Sequence, residues 1–323
     1  MKIEINCGNI LRNAEKISAF TPLIAVVKAD AYGHGAVAAA KTVERTAECI
    51  AVATENEAKT LLDAGVKKDV IVLHPCCAPA LSAQNIVYSL VRAEDAPRFH
   101  GRRTAIKLNT GMNRFGADEN DARDLISAAS EQTHVHSVYS HLRDPSDDET
   151  TERQYENFAH MTAGLNVLKH IAASGALGRE KKCPVGAARC GIALYGGLSG
   201  FAPAMSVKAE VLQVRSVPSG EGVGYGTAIL QRPAYAAVID VGYAHGYRRS
   251  GKTRRVFLGG KFRKVLAICM DCSIVECDSR TCVGDVAELL GEHISPHELA
   301  RSFGATVYEV FTSLGTGRTK GYI

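Results

Sequence analysis

Short apolar runs alternate with helix-like segments through the first two-thirds of the chain, and this alternation narrows the possible folds more than any other feature. Strand candidates begin near Leu23, Ile50, Val70, Ile86, Thr104, Val135, His170 and Ala188. Residues 36–48, 55–64, 118–130 and 149–168 have helical character and lie between several of them. A strand followed by a helical crossover returns to pair in parallel with its neighbour. Eight such strands within roughly 180 residues is the count of a (β/α)8 barrel. Beyond residue 204 the chain becomes rich in Val, Gly and Thr, broken by turn signals such as Pro218-Ser219-Gly220, Arg232-Pro233 and Leu258-Gly259-Gly260. That spacing of turns predicts an all-β domain. A late helix is expected over residues 296–302, with Ser295 as its N-cap and Pro296 at its first position. The expected architecture is α/β: a (β/α)8 barrel over residues 8–203 followed by a C-terminal all-β domain over residues 204–323.

Composition bounds the function. The 323 residues are 46% hydrophobic, enough to bury a full core and too apolar for a disordered chain. The net charge of +4 is mild and its basic residues are scattered, which suits an anionic small molecule and offers nucleic acid no basic stripe. No apolar run approaches the ~20 residues of a membrane span, and MKIEINCGN lacks a signal-peptide pattern. Ten cysteines include the pair Cys269-Met270-Asp271-Cys272, with Cys277 and Cys282 downstream. Zinc pairs come as two tight knuckles, whereas these thiols read as alternating strand positions in KVLAICMDCSIVEC, so no metal is expected there. So many free thiols point to a reducing cytoplasm.

Chemistry concentrates in PLIAVVKADAYGHG, residues 22–35. The β-branched run ends abruptly in Lys28, which places the amine at the carboxyl end of a buried strand, where parallel α/β folds bind ligands. Partial desolvation there lowers a lysine pKa and makes it a usable nucleophile or base. Tyr32 adds a hydroxyl in the following loop. The residues alone leave open a plain surface lysine.

VVKADAYGHG resembles the pyridoxal-phosphate attachment motif of the alanine racemase family. The resemblance implies that Lys28 carries the cofactor and that Tyr32 binds its phosphate. Other segments continue the likeness in order. Lys107-Leu108-Asn109-Thr110-Gly111-Met112-Asn113-Arg114-Phe115-Gly116 is similar to the family's K-x-D-T-G-M-x-R-x-G, with Asn109 where the family usually has aspartate. It implies that Arg114 binds the substrate carboxylate and that Lys107, often carbamylated in the family, orients it. His141 ends VHSVYSH and would pack against the pyridine ring, although the following Arg143-Asp144-Pro145-Ser146-Asp147 is unlike the family's small-residue stretch. His170-Ile171-Ala172-Ala173-Ser174 resembles H-x-x-N-S, giving Ser174 to the phosphate and His170 to positioning Arg189. Ala188-Arg189-Cys190-Gly191-Ile192-Ala193-Leu194-Tyr195-Gly196 is similar to R-x-G-I-x-x-Y-G; the amides of Gly191 and Ile192 would hold phosphate, and Arg189 would meet the pyridine nitrogen.

In the C-terminal part, Gly222-Val223-Gly224-Tyr225-Gly226-Thr227 contains the family's V-x-Y-G, which makes Tyr225 the second base, tuned by a His141–Arg189 chain. His245 replaces aspartate in a segment similar to G-Y-x-D-G, and Cys269-Met270-Asp271 is similar to C-M-D, whose methionine amide meets the substrate carboxylate. Thr316 stands where some members supply a further phosphate tyrosine. The family's opening strand, here residues 1–7, returns to the β domain.

The resemblance therefore implies a cytoplasmic, homodimeric amino-acid racemase. Pyridoxal 5'-phosphate would be its cofactor, and neither nucleic acid nor membrane its partner. Lys28 and Tyr225 would interconvert L- and D-alanine from opposite faces, supplying D-alanine for peptidoglycan. Two other readings remain: a racemase of this fold for serine or another amino acid, and a non-catalytic pyridoxal-phosphate carrier.

Overall fold

The structure, a computed structural model, describes residues 1–178, 186–225, 229–250 and 254–323. Gly226 and Thr227 of the V-x-Y-G segment lie outside the described residues. Internal contacts separate the chain into two compact units: Ile10–Ala31 with Ala36–Leu194, and Met1–Asn9 with Tyr32–Gly35 and Tyr195–Ile323.

After the opening strand β1 (Lys2–Ile5) and helix α1 (Cys7–Ser18), the first unit is built on eight parallel strands. These are β2 (Leu23–Val26), β3 (Cys49–Val52), β4 (Val70–Val72), β5 (Ile86–Leu90), β6 (Arg103–Lys107), β7 (His134–Tyr139), β8 (Leu168–His170) and β9 (Ala188–Cys190). They pair in the order β8-β7-β6-β5-β4-β3-β2-β9. An Ala173–Arg189 bridge, with the Arg189 amide donating to the Ala172 carbonyl at 3.0 Å, brings the two ends of that order together into a nearly closed barrel. Every residue of β2 to β5 is buried, as continuous Val/Ile runs covered on both faces should be.

The crossovers are less regular than the alternation predicts. Helix α2 (Lys28–Gly33) is taken up below; α3 (Ala36–Val43), α4 (Glu55–Asp63), α5 (Glu119–Gln132) and α6 (Asp148–Met161) follow. Helix α4 opens with a reciprocal Thr54–Glu57 capping box. The expected helix over residues 149–168 stops at Met161, because Gly164 adopts φ 76° and turns the chain toward β8. No α-helix joins β4 to β5, and only a 3-10 turn, Ala93–Phe99, joins β5 to β6.

Residues 28–33 are a correction of a different kind. They read as a loop, yet they form a left-handed helical turn: Ala29, Asp30, Ala31 and Tyr32 have φ of 51°, 54°, 55° and 55°. For L-residues this hand costs about 1–2 kcal/mol each, because Cβ crowds the following carbonyl. The turn keeps its helical bond, Ala31 N–H to the Val27 carbonyl at 2.8 Å. The Ala29 amide donates to Glu57 at 2.7 Å, the Asp30 carboxylate accepts from the Ala36 amide at 2.9 Å, and Ala31 is fully buried.

The second unit is all-β at its centre. Strands β10 (Met205–Val217), β11 (Ala234–Ile239), β12 (Arg255–Leu258), β13 (Lys261–Ile268), β14 (Ser273–Cys277) and β15 (Val286–Leu290) pair antiparallel in the cycle β11-β14-β13-β12-β15-β10, which closes through β10–β11. Strand β1 (Lys2–Ile5) pairs antiparallel with β10, and β16 (Gly321–Tyr322) pairs parallel with β1. Ser295 caps α7 (Pro296–Phe303) as expected, accepting from the Glu298 amide. A second helix, α8 (Val307–Gly315), was not foreseen, although Thr306 and Glu309 form its capping box.

Candidate active site

Parallel strands deliver their carboxyl ends to one mouth of a barrel. Lys28 lies two residues past β2, Lys107 ends β6, His141 lies two residues past β7, His170 ends β8, and Ser174 and Gly191 follow β8 and β9. The barrel unit thus gathers most of the predicted site residues at one end.

Arg189 organises them. Its side chain is 4% exposed, yet it donates to the carbonyls of Ser140 at 2.5 Å and His170 at 2.8 Å. It also meets Nδ1 of His170 at 2.6 Å and Nδ1 of His141 at 3.1 Å. A guanidinium only donates, so both histidines must present an unprotonated Nδ1. Their acidity agrees: burial, then the Arg189 charge, pushes His141 down to about 2 and His170 well below its usual range. His170 is then free to donate from Nε2 to Ser137 at 3.1 Å, and its ring stacks on Tyr139 at 5.0 Å. Burial lowers Arg189 itself to about 10, which leaves it charged at neutral pH, and no carboxylate pairs with it among the described residues.

Two lysines share this positive field. Burial lowers the Lys28 pKa, with Arg114 adding to the effect and Glu57 opposing it. Lys107 is 5% exposed and falls to about 7, through burial first and then Arg189, Arg114 and Lys28. Its ammonium lies 5.1 Å from the centroid of Tyr139 and 5.2 Å from that of Phe115.

The loop carrying Arg114 is braced by Asn109. The Asn109 side chain donates to Asn113 at 2.9 Å and Asp118 at 2.7 Å, and accepts from the amides of Gly111 and Asn113. Asp118 is therefore engaged with Asn109 rather than with Arg114, which stays exposed. Ser174 accepts from the amides of Gly191 at 3.2 Å and Ala193 at 3.3 Å, so the turn after β9 converges on one hydroxyl. The unusual 143–147 segment has a local explanation. Asp147 caps α6 by accepting from the Thr150 amide, Arg143 donates to Thr150, and Asp144 accepts from Ser146.

The second unit holds Tyr32, Tyr225 and Met270. The Tyr32 ring is 5.3 Å from Tyr195 and 5.9 Å from Tyr308. Tyr225 is 71% and Met270 53% exposed. Tyr225 borders a small recess with Arg249, Arg254 and the end of β13. Met270 lies in the turn between β13 and β14, and its carbonyl accepts from Ala244 at 2.9 Å. Gly242 must be glycine, since a Cβ there would lie 2.2 Å from the Met270 oxygen. His245 takes up a capping role: its Nδ1 accepts from the Gly242 amide at 3.1 Å.

Tyr139, Asn109 as a brace, the Ala193 amide and Gln154 join the site beyond the residues expected from sequence; Gln154 is buried and ties the His141 carbonyl to Thr110. Tyr139 carried a signal, its place at the end of the VHSVYSH strand. Gln154 sits on a helix face and carried none.

Residues 5–199 match the family profile of the alanine racemase N-terminal domain, and residues 204–322 match that of its C-terminal domain. That pairing defines an isomerase of the amino-acid racemase class. The alanine racemase of Thermodesulfovibrio yellowstonii is 32% identical over 355 residues, covering 100% of this chain and 98% of its own. Among solved structures, alanine racemase from Clostridium difficile 630 superposes with a TM-score of 0.91 at 26% identity, over 100% of this chain and 95% of that one. The Bacillus anthracis alanine racemase with bound L-Ala-P gives 0.90 at 25% identity, over 100% and 94%. The chain belongs to the alanine racemase family. No helix among the described residues is long and apolar enough to cross a membrane.

Proposed function

We propose that this protein is a pyridoxal-phosphate-dependent alanine racemase that interconverts L- and D-alanine by a two-base mechanism. The observation that carries the reading is the half-buried Lys28 amine at the barrel mouth, in the field of the buried Arg189, which has no carboxylate partner among the described residues. The residues fit the cofactor. A desolvated amine suits covalent capture of an aldehyde. A hydroxyl at which the Gly191 and Ala193 amides converge suits a phosphate, with Ser174 and the Gly191–Ile192 turn as its holders and Tyr32 adding a hydroxyl. Bound pyridoxal phosphate would supply an electron sink that acidifies the α-hydrogen of an amino acid.

The chain's own groups would do the rest. Arg189 keeps its protons, so it would hold a facing ring nitrogen unprotonated and temper the sink toward racemisation. His141 would wall the ring, and His170 would fix Arg189. Arg114, set by Lys107, would grip the substrate carboxylate in a two-pronged bond, joined by the Met270 amide. Lys28 Nζ would take the α-proton of the D-substrate and Tyr225 Oη that of the L-substrate, because one base would return the proton to the face it left.

Exposure of Tyr225 and Met270 on this chain agrees with their serving a second chain, so the working unit would be a symmetric dimer. A cytoplasmic enzyme supplying D-alanine to peptidoglycan completes the reading. The serine alternative drew on His245 and the 143–147 segment, and both have local capping roles. A carrier would need no second domain of the family type.

The test is loss of circular dichroism from L-alanine run beside L-serine, with borohydride reduction to locate the cofactor. Label on a lysine other than Lys28, or faster turnover of serine, overturns the reading. Tyr225→Phe should lower L-to-D conversion by about 10²–10⁴-fold while α-deuterium exchange from D-alanine persists. Mixed Lys28→Ala and Tyr225→Phe chains should recover roughly a quarter of wild-type activity, since about half the dimers are hybrids with one intact site each. No recovery after confirmed subunit exchange would place both bases on one chain.

A further inference from the structure

The amino end of the barrel holds a second constellation that the racemase chemistry does not use. Cys49 is the first residue of β3, Asp69 directly precedes β4, and His136 lies in β7. Their ligating atoms all lie within 4.8 Å of one another: His136 Nε2 is 3.9 Å from Cys49 Sγ and 3.6 Å from Asp69 Oδ2. Strands β3 and β7 are four apart in a ring of eight, so these side chains meet from opposite walls.

Three features set the cluster apart from an ordinary core. First, His136 sits at a bulge. Thr104 pairs with Val135 and Ala105 with Ser137, leaving His136 unmatched, and bulges re-aim side chains. Second, the imidazole is poorly satisfied. Its Nδ1 is buried with no partner among the described residues, and its Nε2 has only the long 3.9 Å contact to the Cys49 thiol, the Asp69 oxygen being beyond hydrogen-bond range. Third, Asp69 is held from behind, with Arg103 donating to both carboxylate oxygens at 2.6 and 2.8 Å. Supported carboxylates of this kind are usual behind metal ions. Asp69 and Arg103 also border an open recess of about 450 Å³ lined by Ile86, Tyr88 and His134, so the cluster reaches this recess at its Asp69 corner.

We propose that Cys49, Asp69 and His136 form a binding site for a zinc ion that clamps opposite walls of the barrel at the end away from Lys28. Thiolate, imidazole and carboxylate together select zinc over magnesium or calcium. The observed separations approach those between ligands of a tetrahedral zinc, whose bonds of roughly 2.0–2.3 Å place neighbouring ligand atoms about 3.3–3.8 Å apart. Binding exchanges waters on the ion for three protein ligands, and the Cys49 S–H proton goes to solvent; the fourth position keeps a water.

The test uses the chelator-treated holoenzyme, titrated with zinc alone under equilibrium dialysis and with cobalt(II) as a spectroscopic probe. One zinc per chain should bind, and cobalt should give a thiolate charge-transfer band. Cys49→Ser should abolish that band. His136→Gln should weaken zinc binding by about 100-fold or more, beyond the loss typical of outer-shell ligands, and should cancel the rise in thermal midpoint that zinc gives wild type. Retained cofactor absorbance checks that each variant is folded, and His136→Gln decides the matter if Cys49→Ser does not fold. The double variant Cys269→Ser/Cys272→Ser should bind zinc as wild type does. No bound zinc in wild type, or zinc lost only with Cys269 and Cys272, overturns the proposal.

Discussion

Two arginines at opposite ends of one barrel show what separates a working site from a structural one. Arg103, at the amino end, spans Asp69 with two bonds, and both side chains are about one-third exposed. Arg189, at the carboxyl end, is buried and, among the described residues, bonded only to carbonyls and imidazoles. The first charge is cancelled. The second is kept, and its field lowers the affinity of His141, His170 and Lys107 for protons. Burying a charge without a counter-ion is unfavourable. The carboxyl end also contains the left-handed turn at Ala29–Tyr32. Strain and uncompensated charge gathered at one mouth are what a site for an anionic ligand requires.

The contrast can be broken by mutation. Lys28→Ala should have the largest effect, a fall in racemisation of about 10⁴-fold or more with the fold intact; near-normal turnover would remove the carboxyl mouth from the chemistry. Next is Lys107→Met in cofactor-free protein. The folded pKa of Lys107 is lowered to about 7 from 10.5, so between those values the unfolded chain binds more protons and native stability rises with pH. The variant should therefore be more stable than wild type by roughly 4–5 kcal/mol at pH 7 or below, at about 1.4 kcal/mol per pKa unit. That gain should vanish near pH 10.5, as denaturant titrations across the range would show. A pH-independent difference would mean that Lys107 is not desolvated.

Arg189→Met should destabilise by about 2 kcal/mol, since orphaned buried acceptors outweigh relief of the buried charge, and it should also depress activity. Arg103→Ala should cost only about 1 kcal/mol, as part-exposed pairs do, and leave turnover unchanged. Equal stability losses for the two arginines in urea unfolding would erase the distinction between the ends.

Much of this molecule is legible in its residues. Buried parallel strands need continuous Val/Ile runs, so β2 to β5 announce themselves, and the abrupt end of the first such run marks Lys28 as a mouth residue. Helix α7 was readable from Ser295 and Pro296, and α8 could have been read from Thr306 and Glu309, because caps are local chemistry. Tertiary structure alone decided the left-handed turn, which intrinsic preference opposes and which Glu57, a buried Ala31 and the Asp30–Ala36 bond hold in place. It alone decided that Asn109 braces the Arg114 loop, and that Cys49 and His136 meet although 87 residues apart. Period and capping act over a few residues and are written in them. Strain, charge fields and cross-barrel meetings depend on which distant groups the closed ring of strands brings together, and no short window of sequence contains them.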